Sequence, residues 1–349
     1  MKRSSRLRKT GSHTNIASAG ALNNAAVHLS EWYARHGRKD LPWRNTEDAY
    51  AIYISEIMLQ QTQVKTVLER FYRPFLEQFP TLQALADAPQ EKVLKAWEGM
   101  GYYSRARNLH AAAKAAAPAL PKTVEELMAL PGIGRNTAHA VAAFAYHLPV
   151  PVMEANVKRV LHRLHASKGL STDELWQAAD SLLDRHDPFT HNQAMMDIGA
   201  MICTPKAPKC FICPLATGCK GKAAPETYPL PKQKPAVPTR ERIVLVARDA
   251  AGKLFLETRG EKLLGGLYGF PQYEIASSLS FQDTSYPLKS LKKLGQITQV
   301  YSHFRLKGDI YLLEIPQKKN SPNWYTRDDI SALALSRVDH KVLGFLSVK

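Results

Sequence analysis

At 349 residues and a formal net charge of +16, the chain is long enough for two domains of ordinary size and basic enough to favour a polyanionic partner. No apolar run approaches the length of a bilayer span, so nucleic acid stands ahead of a membrane as that partner.

Residues 1–20 carry Lys2, Arg3, Arg6, Arg8 and Lys9 with no acidic residue and no apolar stretch of a secretory signal. They read as a disordered basic arm that adds non-specific phosphate attraction, although an organellar transit peptide shares the composition. Leu22, Ala26, Leu29 and Trp32 then fall at helical spacing, and Leu41–Arg44 (LPWR) reads as a loop because of its proline. A helix over about Glu47–Gln61 is apolar nearly all round and should be buried. Glu56 sits on it between Ile52 and Leu59. Burial there would favour its protonated form and make it a candidate general acid; a structural carboxylate satisfied by an arginine or a backbone group is an equal alternative.

Val64 to Phe79 marks a further helix with an expected kink at Pro74, and Val93, Leu94 and Trp97 another, ended by Gly99 and Gly101. In the GYYSRARNLH stretch two tyrosines stand beside Arg105 and Arg107, a pattern that suits base stacking and phosphate contact but is more often core packing. Thr123 and Glu126 have capping-box spacing for a short helix closed by Pro131. Gly132 and Gly134 of LPGIG then allow a positive-φ turn whose free N–H groups suit a phosphate, with an ordinary glycine C-cap weighed equally. Helices are expected over 155–167, 172–185 and 188–203, so the region 21–220 reads as all-α.

All four cysteines lie in one loop, Cys203, Cys210, Cys213 and Cys219. Four thiolates so spaced indicate zinc or an iron–sulfur cluster, and because only Cys210 and Cys213 form a close pair the cluster is favoured over zinc. The Pro- and Lys-rich residues 221–239 read as a linker. Beyond it the period changes to alternation, with strands expected from Ile243, at Leu254, over Ile297–His303 and over Asp309–Ile315, and short helices over Tyr286–Leu294 and Arg327–Leu335. Residues 240–349 form a separate α+β domain, and the whole chain is multidomain.

Taken together, LPWR, SEIMLQQTQV, GMGYYSRARNLH, LPGIG, NVKRV, NQAMMDIGAMIC and the cysteine pattern resemble the MutY family of bacterial adenine DNA glycosylases, within the helix-hairpin-helix glycosylases. The resemblance implies a helix-hairpin-helix domain over 21–220 whose loop 203–219 holds one [4Fe-4S] cluster on the four cysteines. GGLYGFPQ and YSHF in the last 110 residues resemble a Nudix-like 8-oxoguanine recognition domain. The implied activity is removal of adenine mispaired with 8-oxoguanine or guanine in double-stranded DNA, by a monomer in the bacterial cytoplasm.

Carried over position by position, the resemblance makes Glu56 the acid, Glu154 the electrostatic partner or nucleophile, and Asn156 a support for the sugar. Arg44 and Gln193 would contact the flipped adenine, with Leu59 packing nearby, while Gln61 and Tyr102 wedge into the stack. Ser302 and His303 would verify the opposite base, and Gly132 and Gly134 would anchor the DNA backbone.

Two positions depart from the family. Asn136 stands where bifunctional relatives carry a lysine, so no imine and no β-lyase step is expected. Glu154-Ala155 stands where the family has Asp-Gly, which leaves open a lesion-binding relative with weak or no catalysis. Residues 240–349 lack a glutamate-rich Nudix metal motif, so pyrophosphatase activity is not expected.

Overall fold

The computed structural model describes residues 19–231, 236–260, 263–316 and 322–346. The expected basic arm lies outside these apart from its last two residues, which open α1 (Ala19–His36). The helical part continues with α2 (Ala49–Leu59), α3 (Val64–Arg70), α4 (Tyr72–Gln78), α5 (Leu82–Asp87), α6 (Gln90–Ala96) and α7 (Ser104–Ala116). It is completed by α8 (Val124–Met128), α9 (Arg135–Ala145), α10 (Ala155–Leu164), α11 (Thr172–Leu182) and α12 (Pro188–Met201). The remainder contains β1 (Thr239–Asp249), β2 (Leu254–Phe255), β3 (Glu257–Thr258), β4 (Tyr268–Gly269), β5 (Gln272–Tyr273), β6 (Ser278–Phe281) and β7 (Thr284–Pro287). It ends with β8 (Lys292–Val300), β9 (Arg305–Ile315), β10 (Trp324–Tyr325), α13 (Arg327–Ala332) and α14 (Arg337–Phe345).

The chain divides into two compact units. One joins residues up to Asp40 with His147–Pro231; the other joins Leu41–Tyr146 with the C-terminal part. In the first, α1 and α10 pack on α12 around Leu29, Val157, Leu161, Trp176 and Ile198. Ser171 opens α11 with a complete capping box, which satisfies two of the backbone donors that a helix start leaves bare.

In the second unit α2 packs against α9, and α5 and α6 against α7. Every residue of α2 from Tyr50 to Met58 is buried, as its all-round apolar pattern requires. The C-terminal domain is built on a mixed sheet of order β10-β2-β1-β9-β8, with β5 also on β1; β1 and β9 run parallel and the other pairs antiparallel. Its two faces are covered by separate clusters, one around Val244, Phe270, Ile310 and Val342, the other around Leu245, Phe281 and Trp324.

Three expectations are corrected. LPWR contains a single 3-10 turn, Pro42–Arg44, with its proline at the first position, where no N–H is needed. The helix expected through Phe79 breaks at Phe71 (φ −123), not at Pro74, because Pro74 falls in the first turn of α4 and removes only a donor with no partner there. Tyr286–Leu294 is not a helix: Tyr286 pairs with Leu279 in a hairpin, a 3-10 turn follows, and β8 begins at Lys292. Short apolar runs of this length do not separate the two periodicities.

Candidate active site

Asp48 opens α2 by accepting from Tyr50 N at 2.9 Å, and the helix carries Glu56 into the interior with 8% of its surface exposed. Arg44 is equally buried on the preceding turn, Leu59 is half-buried and Gln61 exposed. Tyr53, one turn before Glu56, is fully buried with no hydrogen-bond partner for its hydroxyl, and burial pushes that hydroxyl's pKa up.

The two residues expected to wedge into a base stack share an uncommon backbone: Gln61 has φ 56° and Tyr102 φ 50°, a region costly for side chains with a Cβ. One side chain holds both places. Arg105 Nη1 donates to Ile57 O at 2.8 Å, Met58 O at 3.1 Å and Gln60 O at 2.6 Å, occupying the carbonyls that end α2. Its Nη2 donates to Thr62 Oγ1 at 3.3 Å and Gly101 O at 3.4 Å. Its guanidinium carbon lies 5.4 Å from the centres of both the Tyr102 and the Trp97 rings. Burial lowers the Arg105 pKa to about 10, which leaves it charged at neutral pH.

Arg105 therefore faces inward and not toward a phosphate. Arg107 Nη1 likewise donates to Gly265 O at 2.7 Å, and Tyr103 is buried, so the aromatic–arginine stretch is mostly structural, with Tyr102 as its exposed member. Spacing along the helix does not tell an inward guanidinium from an outward one.

The glycines of LPGIG have different duties. Gly132 has φ 75°, and a Cβ there would stand 2.5 Å from that of Asn108. Gly134 is the N-cap of α9 with an extended backbone at φ −87° and open space where a Cβ would go. The expected positive φ holds for Gly132 alone. Asn136 lies half-buried in the first turn of α9.

In the other unit, Asn192 staples the segment that leads to Glu154, accepting from Val152 N at 2.8 Å and donating to Val150 O at 2.9 Å. Glu154 is the N-cap residue of α10, yet its side chain makes no capping bond. Asn156 follows at the point where α10 and α12 nearly touch: a Cβ on Gly199 would lie 2.6 Å from that of Asn156. Arg159 fixes this crossing, since its Nη2 donates to Asn156 Oδ1 at 2.9 Å and Gly199 O at 2.6 Å while its Nε donates to Cys203 O at 2.8 Å. Gln193 is 3% exposed, and its buried Oε1 accepts no hydrogen bond. Nearby on α12, Asp197 is held by Arg38 through Nε at 2.8 Å and Nη2 at 2.6 Å, while burial pushes His191 down to about 4.

All four cysteines line one small cavity with Arg163, Ile202, Ala216, Lys222 and Pro225. Arg163 reaches Cys203 Sγ at 3.3 Å, Thr204 O at 2.7 Å and Pro225 O at 2.8 Å, tying both ends of the loop to α10. Burial, reinforced by the neighbouring cysteines, raises the Cys213 thiol to about 11. A cationic iron core would reverse that shift. Among the described residues no three such side chains are grouped to hold one metal ion, although all four thiols line the same cavity. Arg159 and Arg163 are not singled out by the sequence reading, although their spacing of one and two turns from Asn156 places all three on one face of α10.

Ser302 and His303 stand exposed at the tip between β8 and β9, closed by Tyr301 N donating to Phe304 O at 2.8 Å and by stacking of those two rings at 4.8 Å. GGLYGFPQ has a packing role: a Cβ on Gly269 would lie 2.4 Å from Arg259, whose guanidinium pairs with the fully buried Asp339 at 3.1 Å. The candidate residues thus fall into two sets. Arg44, Glu56, Leu59, Gln61, Tyr102, the hairpin and the Ser302–His303 tip belong to one unit; Glu154, Asn156, Gln193 and the cysteines belong to the other.

The family model described as HhH-GPD superfamily base excision DNA repair protein matches residues 54–184, and a NUDIX domain model matches residues 243–344. A solved thermostable thymine-DNA glycosylase covers 58% of this chain with 97% of its own, at a TM-score of 0.54 and 25% identity. Fold and site therefore define a helix-hairpin-helix protein of the base-excision repair superfamily with a Nudix-like C-terminal domain. An adenine DNA glycosylase of Buchnera aphidicola (from Acyrthosiphon pisum) is 30% identical over 89% of this chain and 94% of its own length, and one of Mycolicibacterium smegmatis is 42% identical over 58% and 71%. The chain belongs to the adenine DNA glycosylase family. No described helix is long and apolar enough to cross a membrane.

Proposed function

We propose that this protein is a monofunctional DNA glycosylase that removes adenine paired with 8-oxoguanine or guanine, acting as a monomer in the bacterial cytoplasm. In this reading residues 21–220 form the glycosylase domain, 221–239 a linker and 240–349 the domain that reads the opposite base. Beside family membership, one observation carries the reading: Gln193 keeps a buried amide oxygen without a partner. An amide offers one acceptor and one donor, which matches the N6 amino group and N7 of an adenine edge. An orphan acceptor in a packed interior is costly unless a ligand fills it.

Glu56 delivers the proton that lets adenine leave as a neutral base, and it later takes a proton from the attacking water. Glu154, at the start of α10, supplies the negative charge that the sugar cation needs. Asn156 is oriented by Arg159, which takes its oxygen and leaves its NH₂ to donate toward the sugar. Asn136 has no amine to form an imine, so the product is an intact abasic strand. Gln61 and Tyr102 occupy the opened stack, and Ser302 and His303 meet the opposite base. Cys203, Cys210, Cys213 and Cys219 would hold one [4Fe-4S] cluster, which when bound ties the loop together.

Glu154 also supports a second reading, a protein that binds the mispair but turns it over slowly, because one extra methylene displaces the charge. Single-turnover adenine release by wild type, Glu56→Gln and Glu154→Asp separates the two. The first reading requires release by wild type and near-complete loss in Glu56→Gln. Binding without release, restored in Glu154→Asp, supports the second.

A further inference from the structure

The segment that carries Tyr102 is the one the C-terminal domain grips. Glu98, just past α6, has a side chain only 15% exposed, and its Oε2 takes a hydrogen bond from Lys95 Nζ at 2.5 Å. Its Oε1 accepts from Leu335 N at 3.4 Å and pairs with Nε2 of His340 on α14. Lys95 Nζ also donates to Leu333 O at 3.0 Å, and the Tyr103 hydroxyl to Leu335 O at 3.3 Å. On the other side of Tyr102, Arg107 holds Gly265 O at 2.7 Å. Gly266 comes so close to α6 that a Cβ would stand 2.8 Å from Leu94 Cδ1.

Helix α14 carries this grip onward. The residue after His340, Lys341, donates to Thr298 O at 2.7 Å and Gln299 Oε1 at 3.0 Å. The Phe345 ring fills the place of a Cβ at Gly295. Both contacts fall on β8, which ends at Val300, directly before the tip that presents Ser302 and His303. Through the adjacent residues His340 and Lys341, helix α14 therefore links Glu98, four residues before Tyr102, to the base of the tip.

We propose that Glu98 is a specificity-determining positioning residue: through His340 and α14 it sets the Ser302–His303 tip against the Tyr102 segment, and so governs how well the protein distinguishes 8-oxoguanine from guanine opposite adenine. The proposal rests on the reading of that tip given above. Burial works to raise the Glu98 carboxyl, but the bonds from His340 and Lys95 outweigh it and hold it below the usual range, and the Glu98 bond holds His340 above its own. Besides Glu98, the charged groups that act on His340 are Lys95 and, from its own helix, Asp339. Asp339 is committed to Arg259.

The test uses full-length, cluster-loaded protein as wild type, Glu98→Ala, His340→Ala and His340→Arg. Single-turnover adenine release is measured from duplexes with 8-oxoguanine or guanine opposite adenine, and hydrogen exchange is followed over residues 333–346. The two alanine variants are expected to lose about tenfold in the ratio of the two rates, by slowing on the 8-oxoguanine duplex, with faster exchange. His340→Arg keeps a cation for Glu98 and is expected to keep the ratio. A wild-type preference that persists in every variant overturns the proposal, whether or not exchange rises. A wild type without preference overturns the reading of the tip and the proposal together. Equal slowing on both duplexes makes Glu98 merely structural and also overturns it.

Discussion

Arg105 Nη1 lies 2.6 Å from the carbonyl oxygen of Gln60, and the same guanidinium reaches Gly101 O at 3.4 Å, so one half-buried cation grips the residue before Gln61 and the residue before Tyr102. Both following residues have left-handed backbones, a conformation that persists only where surrounding contacts impose it. Arg105→Lys is expected to lose most of these bonds, because an ammonium cannot span the fork. The expected outcome is a loss of about 2–4 kcal/mol in thermal or denaturant unfolding. A drop of about tenfold or more in adenine release should accompany it, measured at enzyme excess.

Arg159 links Asn156, Gly199 and the first residue of the cysteine loop, Cys203. Arg159→Leu is expected to slow release by about a hundredfold, since a misplacement of about 1 Å suffices for that. Duplex affinity should change little. Gel-shift and single-turnover assays on one preparation check the split between binding and chemistry.

The hairpin glycines separate by conformation. Gly132→Ala must place a Cβ 2.5 Å from that of Asn108 at φ 75°, while Gly134→Ala meets open space. Gly132→Ala is expected to cost about 1–3 kcal/mol and to weaken duplex binding, with Gly134→Ala close to wild type in unfolding. Denaturant curves of the two variants provide the comparison.

His191 gives the stability a pH dependence of known sign. Burial depresses its folded value to about 4, with Asp184 and Asp187 pulling the other way. Between the ordinary imidazole value and about 4 the unfolded chain binds the extra proton, so stability is full above the ordinary value and falls as pH drops through this window. The stability lost across the window is about 3 kcal/mol. Melting temperatures from pH 7 to 4 should fall less steeply for His191→Phe than for wild type.

What the sequence discloses follows the range over which each interaction acts. The all-round apolar character of α2, the Thr123 cap and the clustered cysteines are local patterns, and each appears where the pattern puts it. The sequence reading places no helix at α14, although Ser336 caps it and Val338 and Val342 repeat at helical spacing. The inward turn of Arg105 is not legible in the sequence: the three carbonyls that its Nη1 binds lie 45 to 48 residues earlier, and nothing local distinguishes a carbonyl from a phosphate as partner. The grip of Glu98 on His340, 242 residues away, is illegible for the same reason.

The measurement that bears most directly on the account is adenine release from a duplex with 8-oxoguanine opposite adenine, followed at enzyme excess for wild type and Glu56→Gln. Wild type is expected to release free adenine and leave an uncut abasic strand, with Glu56→Gln slower by about a thousandfold or more, in line with removal of a general acid. Wild type that binds this duplex and releases nothing, or Glu56→Gln that keeps full activity, would contradict it.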